Sequence, residues 1–322
     1  MGKRKSKTVD TDVTSPDARP DEKIIGFMKL RTFATVLSVI LVVGSLISLV
    51  TRGINWGLDF TGGTVLELHY DKPVDTENVR AQLVKAGYTE SSAQEFGSAS
   101  TVLIRMPGDD PALGNKIAQM LAANYEGKVE TKRVEYVGPQ VGERLREQGG
   151  LGMLMALGLV MLYIAFRFQF KFSVGAVVAL THDSIIVLGL FALLQLQFDL
   201  TVMAAILAVI GYSLNDTIIV YDRIRENFRK RRKGTASDII DVSLTQTLGR
   251  TLATSGTTLM VLLALFLFGG EMIHNFATAL IVGIGVGTYS SIYIASNLLL
   301  YLKISREDLL LPVKQEEMDK RP

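Results

Sequence analysis

Thr201-Val-Met-Ala-Ala-Ile-Leu-Ala-Val-Ile-Gly-Tyr-Ser-Leu-Asn-Asp-Thr-Ile-Ile-Val220 decides how this chain is to be read. The run is apolar and long enough to cross a bilayer as a helix, which takes about 20 residues. Yet it carries Asp216, beside Asn215, with apolar sequence on either side. A carboxylate at membrane depth costs on the order of 2.5–3.5 kcal/mol on insertion scales. Such a residue persists when it is protonated, paired or turned toward a wet cavity. Asp216 is therefore the first candidate functional residue; its duller reading is a permanent salt bridge that fixes helix packing.

Outward from 200–221, five further stretches reach span length: about 33–50, 150–166, 174–196, 251–268 and 276–302. The whole chain of 322 residues is 48% hydrophobic, with mean hydropathy +0.29, as a multi-pass membrane protein requires. Its net charge of +2 gives no basic field for nucleic acid. Without cysteine there is no disulfide and no thiolate metal site, and His69, His182 and His274 lack ligand spacing. No GxxxxGK[ST] loop is present, so ATP bound to this chain does not drive it. Neither a cofactor nor a metal is expected.

Positive charge in the short loops sets the orientation. Arg167 and Lys171 lie between spans two and three; Arg223, Arg225, Arg229, Lys230, Arg231, Arg232 and Lys233 lie between four and five; Lys303 and Arg306 follow six. The alternate loops, 195–199 and 269–275, hold no Lys or Arg. Both termini are expected in the cytoplasm and the hydrophilic segment 53–148 outside it. Residues 1–30 read as a disordered tail without the layout of a cleavable signal. Helix one is placed at 31–52, helices two to six within 149–304, and a second tail at 305–322. The basic segment 222–250 is an orientation signal touching lipid headgroups, with an amphipathic helix at 235–248 lying on the inner face.

Inside the outer segment the periodicity shortens. Strands are expected at 64–70, 92–96, 101–106 and 129–137, with helices at 75–86 and 111–124. That order, βαββαβ, is the ferredoxin-like pattern. Nothing on it forms a catalytic constellation, so a contact module is expected rather than an enzyme.

Two flanking segments complete the pattern. Asn55-Trp56-Gly57-Leu58-Asp59-Phe60-Thr61-Gly62-Gly63-Thr64 reads as an extended, glycine-punctuated strand entry, with Trp56 at the membrane interface. Glu135-Tyr136-Val137-Gly138-Pro139-Gln140-Val141-Gly142 precedes span two. With Gly211-Tyr-Ser-Leu-Asn-Asp216, 222–228 and 243–258, these motifs resemble the SecD/SecF family of protein-export membrane proteins, on its SecF side, from about residue 24 to 305. The key motif residues are Trp56, Gly57, Asp59, Phe60, Gly62, Gly63, Gly138, Pro139 and Gly211.

The resemblance implies half of an RND-type transporter whose other half is SecD. It implies association with the SecYEG channel and with YajC and YidC in the bacterial inner membrane. The complex would use the proton gradient to draw preproteins outward. It also implies a proton-carrying role for Asp216, with Arg250 in span five, and with Asp183 and its neighbour His182 in span three. Asn215 is a supporting polar residue.

The chemistry of these positions is consistent with such a path. Burial disfavours a charged carboxyl and a nearby cation favours it, so a group held between the two loads and releases protons readily. At 1.5 Å rise per residue Asp216 and Arg250 can share a depth. One charge crossing the membrane gains roughly 2.3 kcal/mol per 100 mV, comparable to a conformational coupling of about 1–3 kcal/mol. Arg250 could instead snorkel to the inner interface, and Thr181 and Ser184 could hold His182 and Asp183 in a static polar knot. Glu271 and His274 read as solvated. Gly283, Gly285 and Gly287 suit close helix contact. A free-standing RND-like exporter of small molecules or lipids is the competing reading, and a passive scaffold is a third.

Overall fold

Among the described residues of the computed structural model, six helices are long and apolar enough to cross a membrane, and an α/β unit is inserted between the first two. The structure describes residues 24–167, 169–231, 234–305 and 308; most of both expected tails lies outside the described residues.

One turn of 3-10 helix, Phe27–Leu30, leads into α1 (Arg31–Arg52). This corrects the expected tail 1–30: Met28 is buried, and its N–H donates to Asp241 Oδ1 at 2.8 Å. After the chain turns at Gly53 come β1 (Asn55–Trp56) and the single helical turn α2 (Leu58–Thr61). The WGLDFTGGT motif is thus not one extended entry; a helical turn interrupts it.

The inserted unit follows as β2 (Gly63–Tyr70), α3 (Thr76–Lys85), β3 (Ser92–Phe96), β4 (Ser98–Met106), α4 (Leu113–Ala123) and β5 (Val129–Val137). The strands form an antiparallel sheet ordered β3-β4-β2-β5. Alternation along β2 and β4 turns Leu66, Leu68, Val102 and Ile104 to one face, where they pack on Val79 and Leu83 of α3 and Ile117 and Leu121 of α4. Asp75 caps α3 through the Glu77 N–H at 3.0 Å, and the left-handed Gly87 follows its end. The helix-free face looks toward the bundle across a cleft of about 430 Å³. There Arg105 hydrogen-bonds Gln197, and burial lowers its guanidinium pKa against the charge of Asp199.

The remaining chain is α5 (Pro139–Arg167), α6 (Phe170–Leu194), β6 (Gln197–Phe198), α7 (Leu200–Lys230), α8 (Ala236–Phe268), α9 (Glu271–Ser290), a π-helical turn (Ser291–Ala295) and α10 (Ser296–Tyr301). α6 and α7 are the most enclosed spans and α5 the least. Phe172, Phe191, Val202, Ile206 and Tyr221 sit at the heart of the apolar core. Gly283 lies against Val209 and Gly287 against Ser213, so α9 sits close on α7; Gly285 faces open space.

Three boundaries differ from expectation for physical reasons. α5 begins at Pro139, ten residues inside the segment assigned to the outer domain, because proline suits the first helical position. The supposed basic loop 222–250 is mostly helix: α7 runs on to Lys230, supported by Arg223–Glu226 and Lys230–Glu226 ion pairs, each 2.8 Å. The helix expected on the inner face is the first half of α8, started by a Thr235–Asp238 capping box and continuous with span five. Asn227 ties the two extensions, donating to Ser243 Oγ at 2.8 Å and Gln246 Oε1 at 2.9 Å. His274 is half-buried and stacks on Phe266 with centroids 4.0 Å apart rather than standing in solvent; the Glu271 side chain lies outside the described residues.

Candidate functional site

Helix α7 brings two polar faces into the bundle one turn apart. Asp216, only 1% exposed, faces α8 and α9. Its Oδ2 lies 3.5 Å from Ser255 Oγ, and its Oδ1 has no hydrogen-bond partner among the described residues. Ser255 Oγ is closer to Thr288 Oγ1, at 2.8 Å. Thr251, one turn before Ser255, also buries an unpartnered hydroxyl. Arg250 is within electrostatic reach of Asp216, but its guanidinium is exposed and makes none of the hydrogen bonds or ion pairs found among the described residues. Among the described residues no salt bridge locks Asp216. Asn215 is exposed on another side of α7 and does not line this site, a correction to its supporting role, since adjacent helical residues point about 100° apart.

Asp183 lies in a different environment. It accepts hydrogen bonds from Ser213 Oγ at 2.6 Å, Ser290 Oγ at 2.8 Å and His182 Nδ1 at 2.9 Å. Thr181 and Ser184, expected to satisfy it, donate instead to carbonyls of their own helix, Val177 O and Leu180 O. The bond from His182 Nδ1 leaves Nε2 buried without a partner beside Tyr289. Structure thus brings Asp216 near Ser255, Thr288 and the Arg250 charge, and it holds Asp183 with His182 in a separate knot. One carboxyl is saturated with donors and the other is nearly bare.

The glycine motif forms the joint between the α/β unit and the bundle. Gly62 has φ +69° and ψ 175°, and a Cβ there would stand 2.6 Å from Pro139 Cα. Gly63, at φ +115°, passes just as closely over Met106 O. Gly142 backs onto Gly62, whereas Gly138 and Gly211 meet no such crowding. Asp59 Oδ2 accepts the Leu200 N–H at 2.9 Å, and β1 pairs with β6 in parallel. Phe60 is buried, with Trp56 edge-on to it at 5.4 Å between centroids and Phe198 tilted against it at 6.0 Å. The motif clamps the exit of α1 to the α6–α7 corner and to the start of α5.

Comparison with known proteins matches residues 116–305 to the model of the "Protein export membrane protein SecD/SecF, C-terminal" family and residues 47–74 to the "SecD/SecF GG Motif". The chain belongs to the SecD/SecF family. Relatives named Protein translocase subunit SecF include one from Pseudomonas aeruginosa, 54% identical over 92% of this chain and 98% of its own length. Another, from Vibrio alginolyticus, is 52% identical over 92% and 95%. Among solved structures, SecDF from Thermus thermophilus, described as a translocon-associated membrane protein, matches with TM-score 0.81 and 36% identity over 88% of this chain. SecDF in a super-membrane-facing form matches with TM-score 0.66. The chain spans 39% of each SecDF chain.

Ser213, Ser255, Thr288, Ser290 and Ser291 escaped the sequence reading. An isolated hydroxyl on an apolar helix can simply bond a carbonyl of its own helix, so it does not announce a site. The run Thr288-Tyr-Ser-Ser291 was the available signal, being four polar side chains in succession within an apolar span.

Proposed function

We propose that this chain is the SecF-type half of a proton-driven accessory complex that promotes preprotein translocation and release, with Asp216 as the group that carries the proton. The observation that carries the reading is the contrast between the two buried acids. A buried carboxyl held in one place gathers hydrogen-bond partners, as Asp183 does with three. Asp216 has one long contact and one bare oxygen, leaving room for a proton to come and go. Arg250 supplies a nearby positive charge without capturing the carboxyl. Asp183, with His182, serves as a fixed anchor beside the path.

Family membership and the SecDF relatives support pairing with SecD. Association with SecYEG, YajC and YidC extends that reading. Arg167 at the end of α5, Lys171 at the start of α6 and the Arg- and Lys-rich end of α7 support cytoplasmic termini in the inner membrane, with the α/β unit outside. The βαββαβ order and the sheet order β3-β4-β2-β5 support a ferredoxin-like class for that unit. It offers contacts rather than catalysis. A stand-alone exporter is not favoured: one set of six spans is similar to only 39% of the SecDF chain.

The test is preprotein export into inverted vesicles, with and without a proton gradient, for wild type and Asp216→Asn. Asparagine keeps size and hydrogen bonding but cannot cycle a proton. Loss of gradient stimulation with the complex intact is the expected result. Unchanged stimulation would remove Asp216 from the proton path.

A further inference from the structure

Within ten residues the sixth span reaches four other helices through hydrogen bonds. Thr288 Oγ1 meets Ser255 Oγ of α8 at 2.8 Å, and Tyr289 OH donates to Ala34 O of α1 at 2.7 Å. Ser290 Oγ donates to Asp183 of α6 at 2.8 Å, and Ser291 Oγ meets Thr217 Oγ1 of α7 at 2.9 Å. Asn297 Nδ2 then donates to Thr35 Oγ1 of α1 at 2.8 Å. A regular α-helix turns successive side chains about 100° apart, so such a run addresses every neighbour in turn. Ser290, Ser291 and Ser296 are wholly buried.

Directly after this run the helix widens into the π turn Ser291–Ala295. Widened turns are rare, and many mark functional positions. This one has its own supports: Tyr221 OH donates to Ala295 O at 3.1 Å, and Ser296 Oγ to Ser291 O at 3.2 Å. Thr288 lies just before the widened turn, and its partner Ser255 lies between it and Asp216.

Ser255 has one hydroxyl proton and two acceptors within reach, a hydroxyl at 2.8 Å and a carboxyl oxygen at 3.5 Å. A neutral carboxyl competes weakly for that proton. An ionised one accepts roughly twice as strongly as a neutral group and draws its donor to about 2.5–2.7 Å. Ser255 would close a gap of about 0.8 Å to reach it. Among the charged groups of the described residues, Arg250 on α8 alone reaches Asp216; α9 presents hydroxyls.

We infer that Ser255 and Thr288 are positioning residues that read the protonation state of Asp216 and pass it to α9, with the Ser290–Asp183 bond as the pivot. When Asp216 holds its proton, Ser255 stays with Thr288. When the proton leaves Asp216, Ser255 turns its O–H to the carboxylate and the α8–α9 tie at Thr288 loosens. The sixth span then shifts about Ser290, at the widened turn. No covalent bond other than the carboxyl O–H changes, and its proton comes from and returns to the gradient. This rests on Asp216 being the carrier.

The experiment uses membranes containing the chain with SecD, comparing Ser255→Ala, Thr288→Val, Thr288→Ser and Asp216→Asn for accumulation, co-purification and gradient-stimulated export. Expected is at least about a tenfold loss of stimulation in Ser255→Ala and Thr288→Val, the worth of one hydrogen bond to a charged group, with assembly intact. Thr288→Ser keeps the hydroxyl and should retain stimulation. The second readout is the infrared carboxylate stretch of ionised Asp216, identified by its disappearance in Asp216→Asn. This band should shift in Ser255→Ala, because the ionised oxygen loses its donor. If Asp216→Asn abolishes stimulation while Ser255→Ala and Thr288→Val keep it and the band stays put, this inference is wrong and the carrier assignment survives. If Asp216→Asn leaves stimulation intact, both fall.

Discussion

Replacing Gly62 with alanine tests the joint between the α/β unit and the bundle. Gly62 occupies φ +69° with ψ 175°, a region open in practice only to glycine, where any other residue costs about 1–3 kcal/mol. The new Cβ would also stand 2.6 Å from Pro139 Cα, 2.9 Å from Pro139 N and 3.2 Å from Val137 O. All three are backbone atoms, so no side chain can swing away. Overpacking of this kind costs a further ~1–3 kcal/mol. Together the penalty is about 2–6 kcal/mol, a large part of the ~5–15 kcal/mol that holds a typical domain. The assay is limited proteolysis of the chain in native membranes across a temperature series. Gly62→Ala should open cleavage around residues 57–63 and 138–142 well below the wild-type temperature. Gly211→Ala is the control, because a Cβ there meets nothing within 4 Å in a helix interior, so the fold should be unchanged or more stable by ~0.5–1 kcal/mol. Equal protease resistance for Gly62→Ala and wild type would refute the clamp, since backbone strain and backbone contact would both have to vanish.

Further outcomes follow from the same geometry. Gly283→Ala drives a Cβ into the methyls of Val209; the heat-aggregation temperature in detergent should fall, and Val209→Ala should restore much of it. Thr235→Ala removes the hydroxyl half of the capping box and should cost about 1 kcal/mol, read as faster proteolysis near residue 235. Burial raises the Tyr70 phenol from 10.0 to about 12, so the folded α/β unit binds this proton more tightly than the unfolded chain does. Its stabilising contribution is complete below pH 10 and is lost between pH 10 and about 12; Tyr70→Phe should flatten alkaline melting of the unit over that window.

The spans and the strand order were legible because each depends on local pattern. Apolar length marks a membrane helix, and period-two alternation marks a strand such as β2, expected at 64–70 and found at Gly63–Tyr70. The helical extensions beyond spans four and five were misread because Asp222–Lys230 is nearly all polar, and polar sequence beside a span resembles a loop. Its i,i+3 and i,i+4 charge pairs held the missing signal. Asp216 announced itself by being charged where charge is expensive. The partners of Asp183 could not be read, because Ser213 and Ser290 lie 30 and 107 residues away and meet it only once α7 and α9 have packed. Nor could the bare state of Asp216 Oδ1, which depends on what three helices leave empty.

Helix α5 carries a mechanical consequence. It runs unbroken for 29 residues from Pro139, clamped under the glycine motif, to Arg167 at the opposite end of the bundle. At 1.5 Å per residue that is a rod of about 44 Å. It is the span least enclosed by its neighbours, and Ser173 Oγ grips its far end at Ile164 O, 3.1 Å away. Held near Ile164 and seated at its start on the glycine motif, the rod links one end of the bundle to the joint at the other. A tilt of about 5° about the Ile164 end moves the α/β unit roughly 3–4 Å by the same rise per residue. Small rotations inside the bundle thereby become displacements of several ångströms in the α/β unit.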